Sequence, residues 1–168
     1  MILNGTEGRM EITSKGLHSF GYDLNESRNV RIFNRQGEEI RKSPIDIGLI
    51  GIGENGHIAF NDPPADFDTK EAYIIVNHDE RCKKQQMCEG WFATIDDVPK
   101  QAVSMTTYQI MQCQRIISCV PYKVKAEAVE NTLKSKEVTN MIPATLLKTH
   151  PDFILYVDEN SAAGIVNF

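Results

Sequence analysis

The residues best suited to chemistry lie together in the segment 51–63, Gly-Ile-Gly-Glu-Asn-Gly-His-Ile-Ala-Phe-Asn-Asp-Pro. This segment holds an amide, an imidazole and a carboxylate, from Asn55, His57 and Asp62. An imidazole titrates near neutral pH and can transfer protons, and a neighbouring carboxylate can fix its tautomer. We therefore predict that His57 and Asp62 lie close enough to pair. The same residue types also fit a structural histidine in a turn and an ordinary acidic turn residue before Pro63.

Glycine residues make the backbone of this segment flexible and accessible to a ligand. Gly51, Gly53 and Gly56 form a loop that can approach a ligand closely, because glycine carries no side chain. The apolar run at 45–50, Ile-Asp-Ile-Gly-Leu-Ile, is typical of a buried strand. Ligands of α/β proteins bind at the carboxyl ends of strands. We expect the glycine loop, residues 51–62, at the carboxyl end of the first strand of an α/β core.

The spacing of the glycines also satisfies the dinucleotide-binding pattern G-x-G-x-x-G. That pattern requires a helix to begin within the loop, with its N-terminus facing the pyrophosphate. Pro63 and Pro64 stand where such a helix would be in its second or third turn, and an interior proline costs about 3 kcal/mol. The sequence therefore favours an extended loop over a nicotinamide site.

Elements of two kinds alternate along the chain after residue 44. Short β-branched runs alternating with helices imply α/β architecture, with a mostly parallel sheet covered by helices on both faces in a Rossmann-like, three-layer arrangement. Residues 1–44 are polar and weakly periodic, with short strands or loops such as 30–33. The predicted strands are 45–50, 72–77, 102–106, 115–120 and 153–157, and the predicted helices are 79–89, 107–113, 123–134 and 143–149.

Composition narrows the class of partner. The chain has 168 residues and a formal net charge of −5, which argues against a general nucleic-acid or anionic-membrane surface. A small basic site for a phosphate group is still compatible with this charge. The sequence has neither an apolar run of membrane-spanning length nor a signal-peptide core, so a cytoplasmic location is expected.

The four cysteines do not have the spacing of a zinc site. Cys82 and Cys88, like Cys113 and Cys119, are separated by five residues rather than by the two of a C-x-x-C pair. We interpret them as buried free thiols and predict no metal. His78, near the end of a predicted strand, is expected to have a surface or helix-capping role.

The segment 51–63 resembles the signature of the glucosamine-6-phosphate deaminases, roughly G-I-G-x-[DN]-G-H-I-x-F-N-E-P. The related phosphogluconolactonases share its first half but usually lack the F-N-E-P continuation, which stands here as Phe-Asn-Asp-Pro at 60–63. Residues 1–44 match the family poorly, and 45–168 resemble the C-terminal part of an aminosugar-phosphate deaminase or isomerase domain. The resemblance continues to about residue 164, through 85–86, 89–93, 97–99 and 125–129.

This resemblance implies the conversion of glucosamine 6-phosphate and water to fructose 6-phosphate and ammonia, without an organic cofactor. It implies that His57 relays the proton that opens the sugar ring, because a neutral imidazole suits that step. Asp62, where the family usually has Glu, would hold the tautomer of His57. Asn55 would hydrogen-bond the substrate or the histidine.

The resemblance also implies the substrate-binding residues. Gly53 and Gly56 would bring the loop backbone to the sugar, and Lys125, in a K-A-x-A pattern, would bind the phosphate, with Lys123 as a competitor. The partner is then a small aminosugar phosphate, and a homo-oligomer is left open. Gln86 stands near where many members carry a phosphate-binding Arg.

Two family patterns do not occur before Gly51. One is the S-G-G-[ST]-x-P-type loop that cradles the phosphate, and the other is the D-E-[YFW]-type segment associated with the base at C2. We therefore expect residues 1–168 alone to turn over glucosamine 6-phosphate very slowly or not at all. Three hypotheses remain: part of a deaminase, a non-catalytic sugar-phosphate binding module, and a phosphogluconolactonase-like hydrolase, which Phe60-Asn61-Asp62 disfavours.

Overall fold

The computed structural model describes residues 3–5, 8–13, 16–19, 40–42 and 45–165. The first three strands are β1 (Leu3–Gly5), β2 (Gly8–Thr13) and β3 (Gly16–Ser19), and they form an antiparallel sheet in the order β1-β2-β3. The predicted strand at 30–33 lies outside the described residues.

A parallel sheet forms the centre of the structure. Its strands are β4 (Ile47–Leu49), β7 (Arg115–Val120) and β8 (Phe153–Val157), in the order β4-β7-β8. Because all three run parallel, the loops after β4 and β7 leave the same edge of the sheet. The predicted α/β fold, with a parallel sheet and helices, is confirmed, and the glycine loop follows β4 as expected.

The other two strands are formed where they were predicted but run in opposite directions. They are β5 (Tyr73–Asn77) and β6 (Gln101–Met105), and they pair antiparallel in a separate two-stranded sheet. The chain between them contains a helix but returns to the same ladder instead of crossing over. The alternation of strands and helices in the sequence therefore predicted where these two strands lie, but it did not predict that they run antiparallel to each other.

The helices are short. They are α1 (Glu80–Cys88), α2 (Thr107–Ile110) and α3 (Ala126–Lys134), with 3₁₀ turns at Ile95–Asp97, Lys123–Lys125 and Pro143–Thr149. The helix predicted at 143–149 is therefore a 3₁₀ helix. No helix begins among residues 50–72, as the prolines at 63 and 64 indicated, so this loop lacks the helix that a dinucleotide site needs. Among the described residues, no helix is long and apolar enough to cross a membrane.

The hydrophobic core lies between the parallel sheet and the helices. Its fully buried members include Ile58 from the glycine loop, Ile116 from β7 and Val129 from α3. The glycine loop is thus anchored by its own apolar side chain. The opposite face of β4 is open, because Ile47 and Leu49 keep 54% and 77% of their surface exposed. The prediction of a buried strand was therefore wrong for these two residues, which alternate with the buried Gly48 and so face away from the core.

The cysteines are free thiols, but only half of them are buried. Cys82 and Cys113 are buried as expected, whereas Cys88 and Cys119 are exposed. Burial was the wrong prediction for the latter two. Cys119 follows the fully buried Ser118 on β7, so the alternation of the strand turns it outward, and Cys88 ends α1 on its solvent side.

Tyr122, at the carboxyl end of β7, has a backbone conformation that only glycine adopts easily, with φ 80° and ψ 145°. Its ring is mostly exposed. Such a conformation costs a non-glycine residue about 1–3 kcal/mol. We expect Tyr122→Gly to raise the free energy of unfolding in urea by about that amount, and Tyr122→Ala, which keeps the Cβ, to leave it nearly unchanged. Equal effects of the two substitutions would contradict this explanation.

Candidate active site

The glycine loop folds around the imidazole of His57. The backbone N–H of Gly53 donates to the carbonyl of His57 at 2.9 Å, and that of Gly56 donates to the carbonyl of Gly53 at 3.0 Å. A Cβ on Gly53 would overlap the His57 ring, so this close packing requires glycine. Gly56 has φ +83°, which glycine adopts without strain, and packs against Ile142.

His57 and Asp62 form a pair, as predicted. Nδ1 of His57 lies 2.9 Å from Oδ1 of Asp62, and both side chains are at least nine-tenths buried. Nδ1 has no aligned hydrogen-bond partner, so the contact is an electrostatic approach rather than a linear hydrogen bond. With Nδ1 turned to the carboxylate, Nε2 is left as the nitrogen that can exchange a proton with a ligand.

The carboxylate of Asp62 is held by several polar groups. Oδ1 accepts from Nδ2 of Asn55 at 3.0 Å, Oδ2 accepts from the backbone N–H of Asp79 at 3.1 Å, and Nδ1 of His78 lies 3.7 Å from Oδ2. Burial alone would raise the pKa of Asp62, but the side chains of His57, His78 and Asn55 outweigh it and hold this pKa well below its usual value. Asp62 is therefore ionised at neutral pH.

Asn55 holds the His57–Asp62 pair in place by hydrogen bonds to both residues. Its Oδ1 accepts from the backbone N–H of His57 at 3.0 Å, and its Nδ2 donates to Asp62 and to Oδ2 of Asp79, the latter at 2.8 Å. The amide therefore bonds the loop and the carboxylates. Of the two partners expected for Asn55, the structure shows the histidine, through its backbone.

His78 is buried, so the expectation of a surface role was wrong. Its ring meets that of Phe60 edge to face, with 4.7 Å between centroids, and its Nδ1 lies 3.3 Å from Sγ of Cys82. The helix-capping role falls to the next residue, Asp79, whose Oδ1 accepts from the backbone N–H of Cys82 at 2.6 Å. The chain that follows β5 packs against the glycine loop, and this packing buries His78.

A cavity of about 340 Å³ opens in front of the pair. Among the residues predicted for the site, Gly53, His57 and Lys125 line it, whereas Asn55, Gly56 and Asp62 lie outside its lining. Lys123 is also absent from the lining. The remaining lining residues are Gly51, Ile52, Ala59, Gln85, Glu89, Cys119, Val120, Pro121 and Tyr122.

Sequence reasoning missed the part of the site that α1 supplies. Oε1 of Gln85 accepts from the backbone N–H of Glu54 at 3.0 Å, and Asp79 and Cys82 surround the carboxylate of Asp62. Burial and the charge of Asp62 raise the pKa of the Cys82 thiol to about 12. An acidic residue just before a helix is a recognisable capping signal, which could have identified Asp79.

Ionisation of Asp62 makes stability depend on pH. Its pKa in the folded protein is lowered from the ordinary 3.8, so its contribution is complete above that value and is lost as pH falls below it. We expect Asp62→Asn to be less stable than the wild type at pH 7 and to lose less further stability on acidification. Urea unfolding at pH 7 and pH 3 would measure this, and parallel losses in the two proteins would contradict it.

Sequence comparison identifies relatives of this chain. It is 39% identical over 142 residues to a glucosamine-6-phosphate deaminase of Staphylococcus epidermidis, covering 84% of this chain and 56% of the relative. It is 40% identical over 119 residues to the enzyme of the same name from Shouchella clausii, covering 71% and 46%. No protein-family model matches the chain.

Structural comparison agrees with the sequence. A monomeric glucosamine-6-phosphate deaminase of the NagB superfamily superposes with a TM-score of 0.75 at 30% identity, over 83% of this chain and 56% of that one. The 6-phosphogluconolactonase from Trypanosoma brucei superposes with a TM-score of 0.62 over 86% and 57%, and at 16% identity this shows the fold alone. The chain spans about half the length of the relatives it matches. Over that half, the chain is homologous to the glucosamine-6-phosphate deaminases.

Proposed function

We propose that this chain supplies the ring-opening and phosphate-binding parts of a glucosamine-6-phosphate deaminase site. The observation that supports this most is the buried His57–Asp62 pair, which opens into a cavity that Lys125 also lines. Its ligand is a small aminosugar phosphate. The relatives named glucosamine-6-phosphate deaminase support the choice of substrate.

Ring opening needs a proton relay between the ring oxygen and the anomeric hydroxyl of the sugar. Neutral His57 can accept the hydroxyl proton on Nε2 and return a proton to the ring oxygen. Ionised Asp62 then stabilises the imidazolium that forms in between, at a nitrogen–oxygen distance of 2.9 Å. Asn55 keeps the carboxylate in place during this exchange.

The alternative of a non-catalytic sugar-phosphate binding module rests on one observation. Among the residues that line the cavity, the only carboxylate is that of Glu89. Both of its oxygens are occupied, because Oε1 accepts from Nε2 of Gln85 at 2.7 Å and Oε2 accepts from Nε1 of Trp91 at 3.1 Å. Among the described residues, Glu89 is therefore the one carboxylate at the cavity that could remove a proton from C2, and it would have to share or give up these two hydrogen bonds to do so.

Ring opening can be tested without deamination. A sugar that opens and closes interconverts its two anomers, so the chain should accelerate the exchange between α- and β-glucosamine 6-phosphate, measured by NMR saturation transfer. His57→Gln should remove this acceleration while leaving the fold intact by circular dichroism. Exchange at the buffer rate with the wild-type protein would refute the proposed ring opening.

Substitution of two neighbouring lysines tests the proposed phosphate binding. Lys125 is partly buried and lines the cavity, whereas Lys123 is exposed and does not. A hydrogen bond to a charged group contributes about 1.5–3 kcal/mol, so Lys125→Ala should weaken binding of glucosamine 6-phosphate roughly 10- to 150-fold. Lys123→Ala is the matched control and should bind like the wild type in calorimetry. A larger effect at Lys123 would transfer the role to that residue.

A further inference from the structure

We propose that His57, Asp62 and Cys82 form a capture site for a thiophilic divalent cation such as Zn²⁺, and that a bound cation blocks the site. One ligand atom from each of the three side chains can be chosen so that all lie within 4.8 Å of one another. They offer an imidazole nitrogen, a carboxylate oxygen and a sulfur, which are the three donor types that zinc takes in proteins.

The distances suit a tetrahedral ion. Zinc–ligand bonds of about 2.0–2.3 Å place two ligand atoms about 3.3–3.8 Å apart, so small side-chain rotations would close the site. The three residues come from two elements that already pack together: His57 and Asp62 lie in the glycine loop, and Cys82 lies in α1. No large backbone movement is therefore required.

A second observation points to a ligand. Nδ1 of His57 is buried and has no aligned hydrogen-bond partner, although it lies 2.9 Å from a carboxylate oxygen. A cation between these two atoms would bind the lone pair that Nδ1 has when the imidazole proton lies on Nε2, and it would neutralise the carboxylate. His57 also lines the cavity, so the fourth position of a tetrahedral ion would be open to water.

Binding requires the thiol proton to leave. The Cys82 S–H bond breaks, its electron pair forms the metal–sulfur bond, and one proton passes to solvent or to Nδ1 of His78, 3.3 Å from the sulfur. The cation offsets the negative charge of Asp62, which otherwise disfavours the thiolate. A cation on Nδ1 would keep the imidazole proton of His57 on Nε2, so Nε2 could no longer accept the hydroxyl proton of the sugar. This blocking effect rests on the proposed function, whereas the binding does not.

Cobalt and zinc titrations of the metal-free protein test the site. We expect one Co²⁺ to bind with a thiolate-to-cobalt charge-transfer band, and Zn²⁺ to displace it. Cys82→Ser should remove the band and weaken zinc binding at least about tenfold in competition with a chromogenic chelator. Cys88→Ser, at the exposed cysteine of the same helix, is the matched control and should keep both.

Two results would overturn the site: a wild-type cobalt complex without a thiolate band, or a band that persists in folded Cys82→Ser. If Cys82→Ser does not fold, the Ser variants of the other three cysteines, Cys88, Cys113 and Cys119, decide instead: each should keep the band, and its loss in any one of them would overturn the site. The blocking effect is read separately, as loss of anomer exchange on adding one equivalent of Zn²⁺. Unchanged exchange with zinc bound would refute blocking, whereas absence of exchange before zinc is added would refute the proposed ring opening instead.

Discussion

Gly53→Ala is expected to reduce the rate of anomer exchange by about 100-fold or more, because a misplacement of about 1 Å in a catalytic group can have that effect. A Cβ at this position would overlap the imidazole of His57, so the ring must leave its place beside Asp62. The expected result is a folded protein with a displaced histidine. Its imidazole signals in NMR should shift, and its free energy of unfolding should fall by about 1–3 kcal/mol through overpacking.

Gly51 provides the matched control. It lies in the same loop and lines the same cavity, but a Cβ built on it meets no atom within 4 Å. Gly51→Ala should therefore keep the His57 signals and most of the exchange rate. If both substitutions reduced exchange equally, loop flexibility would explain the loss rather than the contact between Gly53 and His57.

The second large effect concerns complete turnover. Purified residues 1–168 should release ammonia from glucosamine 6-phosphate far more slowly than the roughly 1–10³ s⁻¹ of ordinary enzymes. Loss of a general base alone typically reduces a rate about 10²–10⁴-fold. Among the described residues, the one carboxylate that lines the cavity is that of Glu89, and its two oxygens already accept hydrogen bonds from Gln85 and Trp91. Groups that act together lose more than the sum of their separate effects.

Ammonia release coupled to detection of fructose 6-phosphate measures this turnover. We expect anomer exchange without ammonia, because the first reaction needs only His57 and Asp62 and the second also needs a base at C2. Turnover in the ordinary range would show that a base for C2 is present in this chain, either in residues 1–44 or at Glu89, so that both parts of the site are present.

Local features of this structure were predictable from sequence where a few neighbouring residues determine them. The strand at 115–120, the helix that begins after Asp79 and the His57–Asp62 pair all depend on short stretches of chain. The pair in particular follows from a loop in which only four residues separate two side chains of complementary chemistry.

Features that depend on contacts between distant segments were not predictable in this way. β5 and β6 pair antiparallel through a register that their composition does not encode. The burial of His78 and Cys82 beside Asp62 depends on how the end of β5 packs against the glycine loop, and neither residue type signals that position. A histidine near a strand end is therefore ambiguous until its neighbours in space are known.

The open face of β4 should also govern how concentrated solutions of this protein behave. Ile47 and Leu49 point away from the core, and among the described strands β4 pairs only with β7. Apolar side chains on an edge strand favour self-association. Such association weakens on cooling and strengthens in sulfate, since the hydrophobic effect does the same. Purification in the cold and at low sulfate should therefore keep the protein dispersed, whereas ammonium sulfate should precipitate it early.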